Sequence, residues 1–351
     1  MSERSGKVQT VRGLIEPAEM GVTLMHEHLL IDWRHRFTPP AEASRVAFSR
    51  ARVTPELRAA ILHEPLDNLD NLLLLDEQDA VDEALRFTHA GGGTLVDMSN
   101  RGLGRDPLAL RRISAATGLH VSMGAGYYVG ISHPPDMDSR TEDELCAEMV
   151  RDIEVGVGDT GIKCGHIGEI GCEAQTPNEM KVVRAAARAQ RRSGALLNVH
   201  QLYSLTPKGG HAIADAIERA GGDLSRTVFS HMDGSEDDFA YQESLLERGL
   251  TLEYDLFGTE NTIAGPIWFP QDRARVRGIA RLIEAGWIGQ IVLAQDICMK
   301  VALVKYGGWG YGHILQRCLP LFRRAGLGEE QIATMLVDNP RRLLPFAAPR
   351  G

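Results

Sequence analysis

Short apolar runs alternate along the chain with longer segments whose apolar residues return at helical spacing. Runs of strand length occur at residues 23–31, 94–99, 120–126, 162–170, 195–200, 227–232, 250–256 and 290–296. Between them the spacing predicts helices over 69–87, where Leu72, Leu75, Val81 and Leu85 recur, and over 107–116, 141–154, 177–193, 210–220, 236–248 and 272–286. The helix at 177 is fully punctuated: Thr176 as N-cap, Pro177 in the first turn, Glu179 completing a capping box, and Gly194 as the stop. Residues 32–66, rich in Arg, His and Pro, read as a long loop with one helix near 55–62, and 313–351 as closing helices.

Eight strands alternating with helices, and no GxGxxG after the first, favour a closed (β/α)8 TIM barrel over an open doubly wound sheet. With no internal repeat or linker, residues 1–351 are expected to be one domain. In such barrels the site forms at the C-terminal ends of the strands.

Charge and cysteine usage narrow the partners. A formal charge of -9 and a pI near 5.8 argue against nucleic acid, whose binding depends on Lys and Arg neutralising phosphates. Five cysteines without a CxxC pair fit a reduced compartment, and the polar N-terminus lacks a signal-peptide core, so a cytoplasmic protein is expected. No run approaches a membrane span, so no membrane partner is expected. A small-molecule substrate is the expected partner, and a homodimer is left open.

Candidate chemistry sits where strands stop. In TLMHEHLLI, His26 and His28 are two residues apart and share one face of a strand, while Met25, Glu27 and Leu29 take the other. Glu169 in HIGEIG, His200 ending ALLNVH, His231 ending TVFSH and Asp296 ending QIVLAQD each follow an apolar run. Four imidazoles and two carboxylates at one barrel mouth suit two divalent metal ions, with zinc preferred over manganese or iron. Glu169 is placed as the bridge, with His26, His28 and Asp296 on one ion and His200 and His231 on the other. Two ions about 3.5–4 Å apart share a hydroxide and polarise a carbonyl or phosphoryl oxygen. Asp296 is then the catalytic general base.

With VRGLIEPAEMGVTLMHEHLL, GHIGEIGCE, AAARAQRRSGALLNVH, VFSHMDG, LAQD and VDNPRRLL in order, the chain resembles the phosphotriesterase family of the amidohydrolase superfamily, closest to its phosphotriesterase-related, or resiniferatoxin-binding, branch. The resemblance implies a (β/α)8 barrel with a binuclear metal centre held by His26, His28, Glu169, His200, His231 and Asp296. Two departures stand out. The best-known members bridge their metals with a carboxylated lysine, whereas this chain has Glu169; Lys163, six residues earlier, lies too far down a continuous strand. Organophosphate-hydrolysing members follow a strand-seven aspartate with a histidine, whereas this chain reads Asp255-Leu256, which argues against efficient triester hydrolysis.

The expected activity is therefore metal-dependent hydrolysis of a carboxylic ester, lactone or N-acyl amide. The alternatives are a phosphotriesterase or a metal-containing binding protein without turnover. Tyr128 and Trp309 are candidate substrate contacts, Trp309 within a glycine- and aromatic-rich tract, 305–313, that reads as a mobile loop over the site. Asp233 is expected either to support His231 or to cap the next helix. Lys208 and His211 read as a solvated loop, and the remaining histidines as surface or packing residues.

Overall fold

The apolar runs pair side by side, in chain order, as one parallel sheet in the computed structural model. It describes residues 3–349 apart from 261, 262, 265 and 266 and the side chains of 263, 264, 267 and 268. The strands are β1 (Val22–Glu27), β2 (Gly92–Asp97), β3 (His120–Ala125), β4 (His166–Gly171), β5 (Leu196–His200), β6 (Thr227–Phe229), β7 (Thr251–Tyr254) and β8 (Ile291–Leu293). Just beyond β8 the Asp296 amide donates to the His26 carbonyl at 3.1 Å, which brings the last strand back to the first. The result is the expected (β/α)8 TIM barrel. Strands covered by helices outside and by one another's side chains inside are buried on both faces, and this is why the runs are continuously apolar.

Each connection carries one main helix, α1 (Glu77–His89), α2 (Pro107–Thr117), α3 (Glu142–Glu154), α4 (Pro177–Ser193), α5 (Gly210–Arg219), α6 (Phe239–Leu246) and α7 (Asp272–Glu284), and the first also holds short helices at Val46–Ser49 and Arg58–His63. The Thr176–Glu179 capping box and the left-handed Gly194, φ 75°, bound α4 as the sequence predicts. The predicted helix over 69–87 is corrected. Asp76 caps a helix that starts at Glu77, and its side chain accepts from the amides of Gln78 and Asp79. The leucines before it enter a short turn, Asp70–Leu72, and an antiparallel pairing of Leu73–Leu74 with Ile31–Asp32. Leu75, counted there as a helix-face residue, is exposed.

Several strand runs stop before their apolar stretch ends. His231 and Asp296 adopt left-handed backbone, φ 60° and 46°, a region that side-chain-bearing residues rarely enter. A strand cannot continue through that conformation. The turn frees both side chains toward the barrel mouth, and hydrogen bonds from both backbone amides hold it in place.

The opposite end of the barrel is sealed. An N-terminal hairpin, Val8–Thr10 against Gly13–Ile15, turns at Val11-Arg12, and the residues just before it meet the C-terminal segment at Phe346. Val8, Met20, Met25, Val96, Val228 and Val292 form a cluster with Leu343 and Leu344. The expected closing helices are broken into short pieces, Leu319–Arg324, Glu329–Ala333 and Asn339–Leu343, with π-helical turns at Ile314–Cys318 and Thr334–Asp338.

Candidate metal centre

All six predicted ligands meet at the open mouth, arranged around Glu169. On one side the His28 Nε2 atom lies 3.4 Å from Glu169 Oε1 and 3.2 Å from Asp296 Oδ1, while His26 Nε2 is 3.5 Å from Glu169 Oε2 and 3.8 Å from Asp296 Oδ1. On the other side His200 Nδ1 is 2.9 Å from Glu169 Oε2 and 2.7 Å from His231 Nε2. Glu169 sits where the pairing of β4 with β5 shifts register, between Ile167 and Ile170. Close approach of β3 helps to fix it: a Cβ on Gly124 would lie 2.1 Å from the Gly168 carbonyl oxygen, so only glycine fits.

Hydrogen bonds on the far side of each ring define which nitrogen faces inward. Ser99 Oγ, 2.7 Å from the Leu30 carbonyl, donates its proton there and so accepts from His28 Nδ1 at 3.0 Å. His231 Nδ1 faces the Asp255 carboxylate at 3.0 Å, His26 Nδ1 faces Glu253 at 3.3 Å, and His200 Nε2 faces Glu173 at 3.4 Å. Each outer nitrogen therefore carries the proton, and each inner one presents a lone pair. His26 Nε2 is buried without any hydrogen-bond partner. Lone pairs converging on carboxylate oxygens repel unless a cation lies between them, and buried partners that orient ligand imidazoles accompany metal sites. The donor set thus fits two divalent cations, one between His26, His28, Glu169 and Asp296 and one between Glu169, His200 and His231.

The same field also draws protons. Burial opposes the charge of His28, but Asp296 and Glu169 outweigh it and push its pKa up to about 9. His26 and His231 are likewise raised despite burial, by Glu169 and by Asp255 respectively. Glu169, although buried, is held well below the usual carboxylate range by His26 and His200. Cations entering such a site displace protons.

The supporting carboxylates Glu253, Asp255, Asp97 and Glu173 received no site role in the sequence. Each carried a signal, a charged residue inside or ending a buried strand run. Burial raises Asp97 to about 6, and it accepts from the Leu29 and Ser99 amides. Glu27, turned away from His26 as expected, joins the barrel's ends by accepting from the Gln295 and Ile297 amides. Burial pushes it up to about 8.

A cavity of about 340 Å³ opens above the cluster, walled by Ile31, Trp33, Leu66, Leu256 and Phe269, with Tyr128 and Arg36 at its side. Tyr128 stands edge-on to the His200 ring, centroids 4.8 Å apart. Trp309 is a correction: it lines a small neighbouring cavity, is 45% exposed and stacks on His313. Its tract is tied down. Lys305 N donates to Glu83, Gln295 Nε2 to the Gly310 carbonyl, and the Tyr311 hydroxyl to the His28 carbonyl. Lys208 pairs with Asp238 and His211 with Ser244, away from the cavity. Lys163 precedes β4, whose first residue is His166. Lys163→Ala is therefore expected to leave bound metal per chain unchanged by elemental analysis.

Of the two tasks foreseen for it, Asp233 does not cap α6, which Asp238 does, and it supports His231 only through Asp255. It accepts from the amides of Asp255 and Leu256 and from Arg275 Nε at 2.7 Å. Arg275, fully buried, also binds Asp272, which meets His313 Nε2 at 2.6 Å. This chain fixes the end of β7, and with it the Asp255 carboxylate behind His231. Arg275→Met leaves two carboxylates buried without their cation, which costs about 3–5 kcal/mol. The expected readout is a lower denaturant midpoint in equilibrium unfolding of the metal-loaded protein.

Known proteins resemble this chain along nearly its whole length. Residues 6–344 match the phosphotriesterase family. The N-acetyltaurine hydrolase of Salmo salar is 37% identical over 351 residues, covering 99% of this chain and all of that protein. The crystal structure of a resiniferatoxin-binding protein from Rhodobacter sphaeroides superposes with a TM-score of 0.95 at 38% identity, over 98% of each chain. A phosphotriesterase homology protein from Escherichia coli, with phosphate in its active site, superposes at 0.78 with 26% identity, covering 93% of this chain and 99% of that one. The likeness extends over essentially the whole chain, and this chain carries a His/Glu/Asp cluster at the mouth of its barrel. The protein belongs to the phosphotriesterase family, a family of binuclear metal enzymes, and is one of its hydrolases.

Proposed function

We propose that this chain cleaves the amide bond of a small N-acyl amine of the N-acetyltaurine type. The observation that carries the reading is the gathering of four imidazoles and Asp296 around Glu169 beneath a cavity of small-molecule size. Support for an amide comes from relatives at 37% and 38% identity, matched over their full length, that bear the name N-acetyltaurine hydrolase. Leu256 at the cavity wall supplies no proton relay, which fits an acyl better than a phosphoryl substrate.

When bound, two divalent cations, zinc by preference, would polarise the scissile carbonyl and acidify the attacking water. His26, His28, Glu169, His200, His231 and Asp296 would hold them, with Glu169 between the two. Asp296 is the group placed for proton transfer. Both carboxylates line the cavity, and the Asp296 side chain, 13% exposed against 3% for Glu169, is the more open of the two. It takes a proton from water as the oxygen adds to the carbonyl carbon, then returns one to the nitrogen as the C–N bond breaks. Water is consumed; a carboxylic acid and an amine leave.

The test is a panel holding N-acetyltaurine, a lactone, an aryl ester and a phosphotriester, assayed with metal-loaded protein. The highest kcat/KM is expected on the amide. A phosphotriester or lactone turned over with higher kcat/KM, with the amide inert, contradicts the reading.

A further inference from the structure

The wall of the cavity beside His200 holds a guanidinium that amide cleavage itself does not use. Among the described residues lining the cavity, Arg36 is the one with a fixed positive charge. Its Nη1 and Nη2 atoms engage Glu173 at 2.9 and 2.5 Å, and Glu173 in turn faces His200 Nε2 at 3.4 Å. The guanidinium is thus one carboxylate away from a metal-centre histidine. It is packed over Tyr128 and Trp33, 5.7 and 5.9 Å from their ring centroids. Its Nε–H is buried with no acceptor, and so is the indole Nε1–H of Trp33, another residue of the same wall. These two donors are closed off from the cavity, so the groups open to a ligand are the second N–H groups of Nη1 and Nη2, on a side chain that is 20% exposed and lines the cavity, with the Trp33 ring packed behind it. Arg36 keeps its charge although burial disfavours it, because Tyr128 and Glu173 stand beside it.

We infer that Arg36 and Trp33 form the receptor for an anionic group, a sulfonate or carboxylate, at the amine end of the substrate, and that this pair sets substrate specificity. The inference rests on the proposed amide hydrolysis. The acyl carbonyl lies at the metal centre, and the anion reaches the wall where the guanidinium offers the N–H groups that Glu173 does not use. A neutral amide of the same length leaves those donors without an acceptor, and such mismatches give large discrimination.

The experiment compares N-acetyltaurine, N-acetyl-β-alanine and neutral N-acetylethanolamine on metal-loaded wild type, Arg36→Met, Arg36→Lys and Trp33→Phe. Metal content and thermal unfolding verify that each variant is folded. Wild type is expected to prefer the anionic amides by about 100-fold or more in kcat/KM, mostly through KM. Arg36→Met should bring that ratio to near one; it also removes the partner of Glu173 behind His200, so kcat on all three amides falls together and the ratio is the readout. Arg36→Lys and Trp33→Phe should fall between, and they decide the matter if the methionine variant does not fold. The two anionic amides distinguish a sulfonate from a carboxylate preference. Equal losses on all three substrates, or an unchanged ratio, overturn the receptor. If wild type cleaves no amide, the proposed reaction fails by itself. Calorimetric titration of the same amides then decides the receptor: tighter binding of the anionic pair that Arg36→Met abolishes supports it, and equal binding of all three overturns it.

Discussion

Replacing Glu169 with alanine is expected to strip the protein of metal and reduce hydrolysis to background. Its carboxylate is the one group that both lone-pair sets share: Oε1 faces His28, and Oε2 faces His26, His200 and His231. Without it, one set keeps two histidines and Asp296, and the other keeps two histidines alone. Four buried imidazoles then crowd together with less negative charge to hold cations between them. Elemental analysis should show the metal falling from two per chain toward one or none, and the loss of carbonyl polarisation and water activation, worth several kcal/mol, should lower kcat/KM by about 1,000-fold or more. Retention of two equivalents would remove Glu169 from the bridge.

Asp296→Asn separates holding metal from moving a proton. The amide keeps an oxygen near His28 Nε2, where Asp296 Oδ1 now lies at 3.2 Å, so much of the metal should remain. A carboxamide cannot accept the proton of the attacking water or pass it to the leaving nitrogen. A fall of about 100- to 10,000-fold in kcat, with little change in KM, is the expected result. If turnover survives with metal in place, another base carries the proton.

The barrel could be read from the sequence because all eight strands are buried on both faces, and continuous apolar runs report that burial directly. Strand ends were less legible. The run ending at His231 looks like strand to its last residue, and only the left-handed backbone shows that β6 stops at Phe229. Helix α1 was overextended because leucines at 72 and 75 fit a helical period although they belong to a turn and a surface position before the Asp76 cap.

The six converging side chains were legible for a related reason. A histidine or carboxylate closing an apolar run has few purely structural uses. What lay hidden was everything that reaches the site through tertiary contact. Asp255 was noted for the residue after it, whereas its own carboxylate orients His231. Arg36 and Trp33 sit in the Arg- and Pro-rich segment read as a loop, and nothing in local spacing shows that this loop folds over the cavity. Trp309 misled for the opposite reason. Glycines and aromatics after β8 look like a mobile cover, but Glu83 and Gln295 tie that tract to the barrel.

The most direct test is to titrate metal-free protein with zinc while following acetate release from N-acetyltaurine. The rate should rise until two equivalents per chain are bound and then level off, because both lone-pair sets must be filled before carbonyl and water are activated together. A plateau at one equivalent, or a rate that does not respond to metal, would contradict a binuclear amide hydrolase built around Glu169.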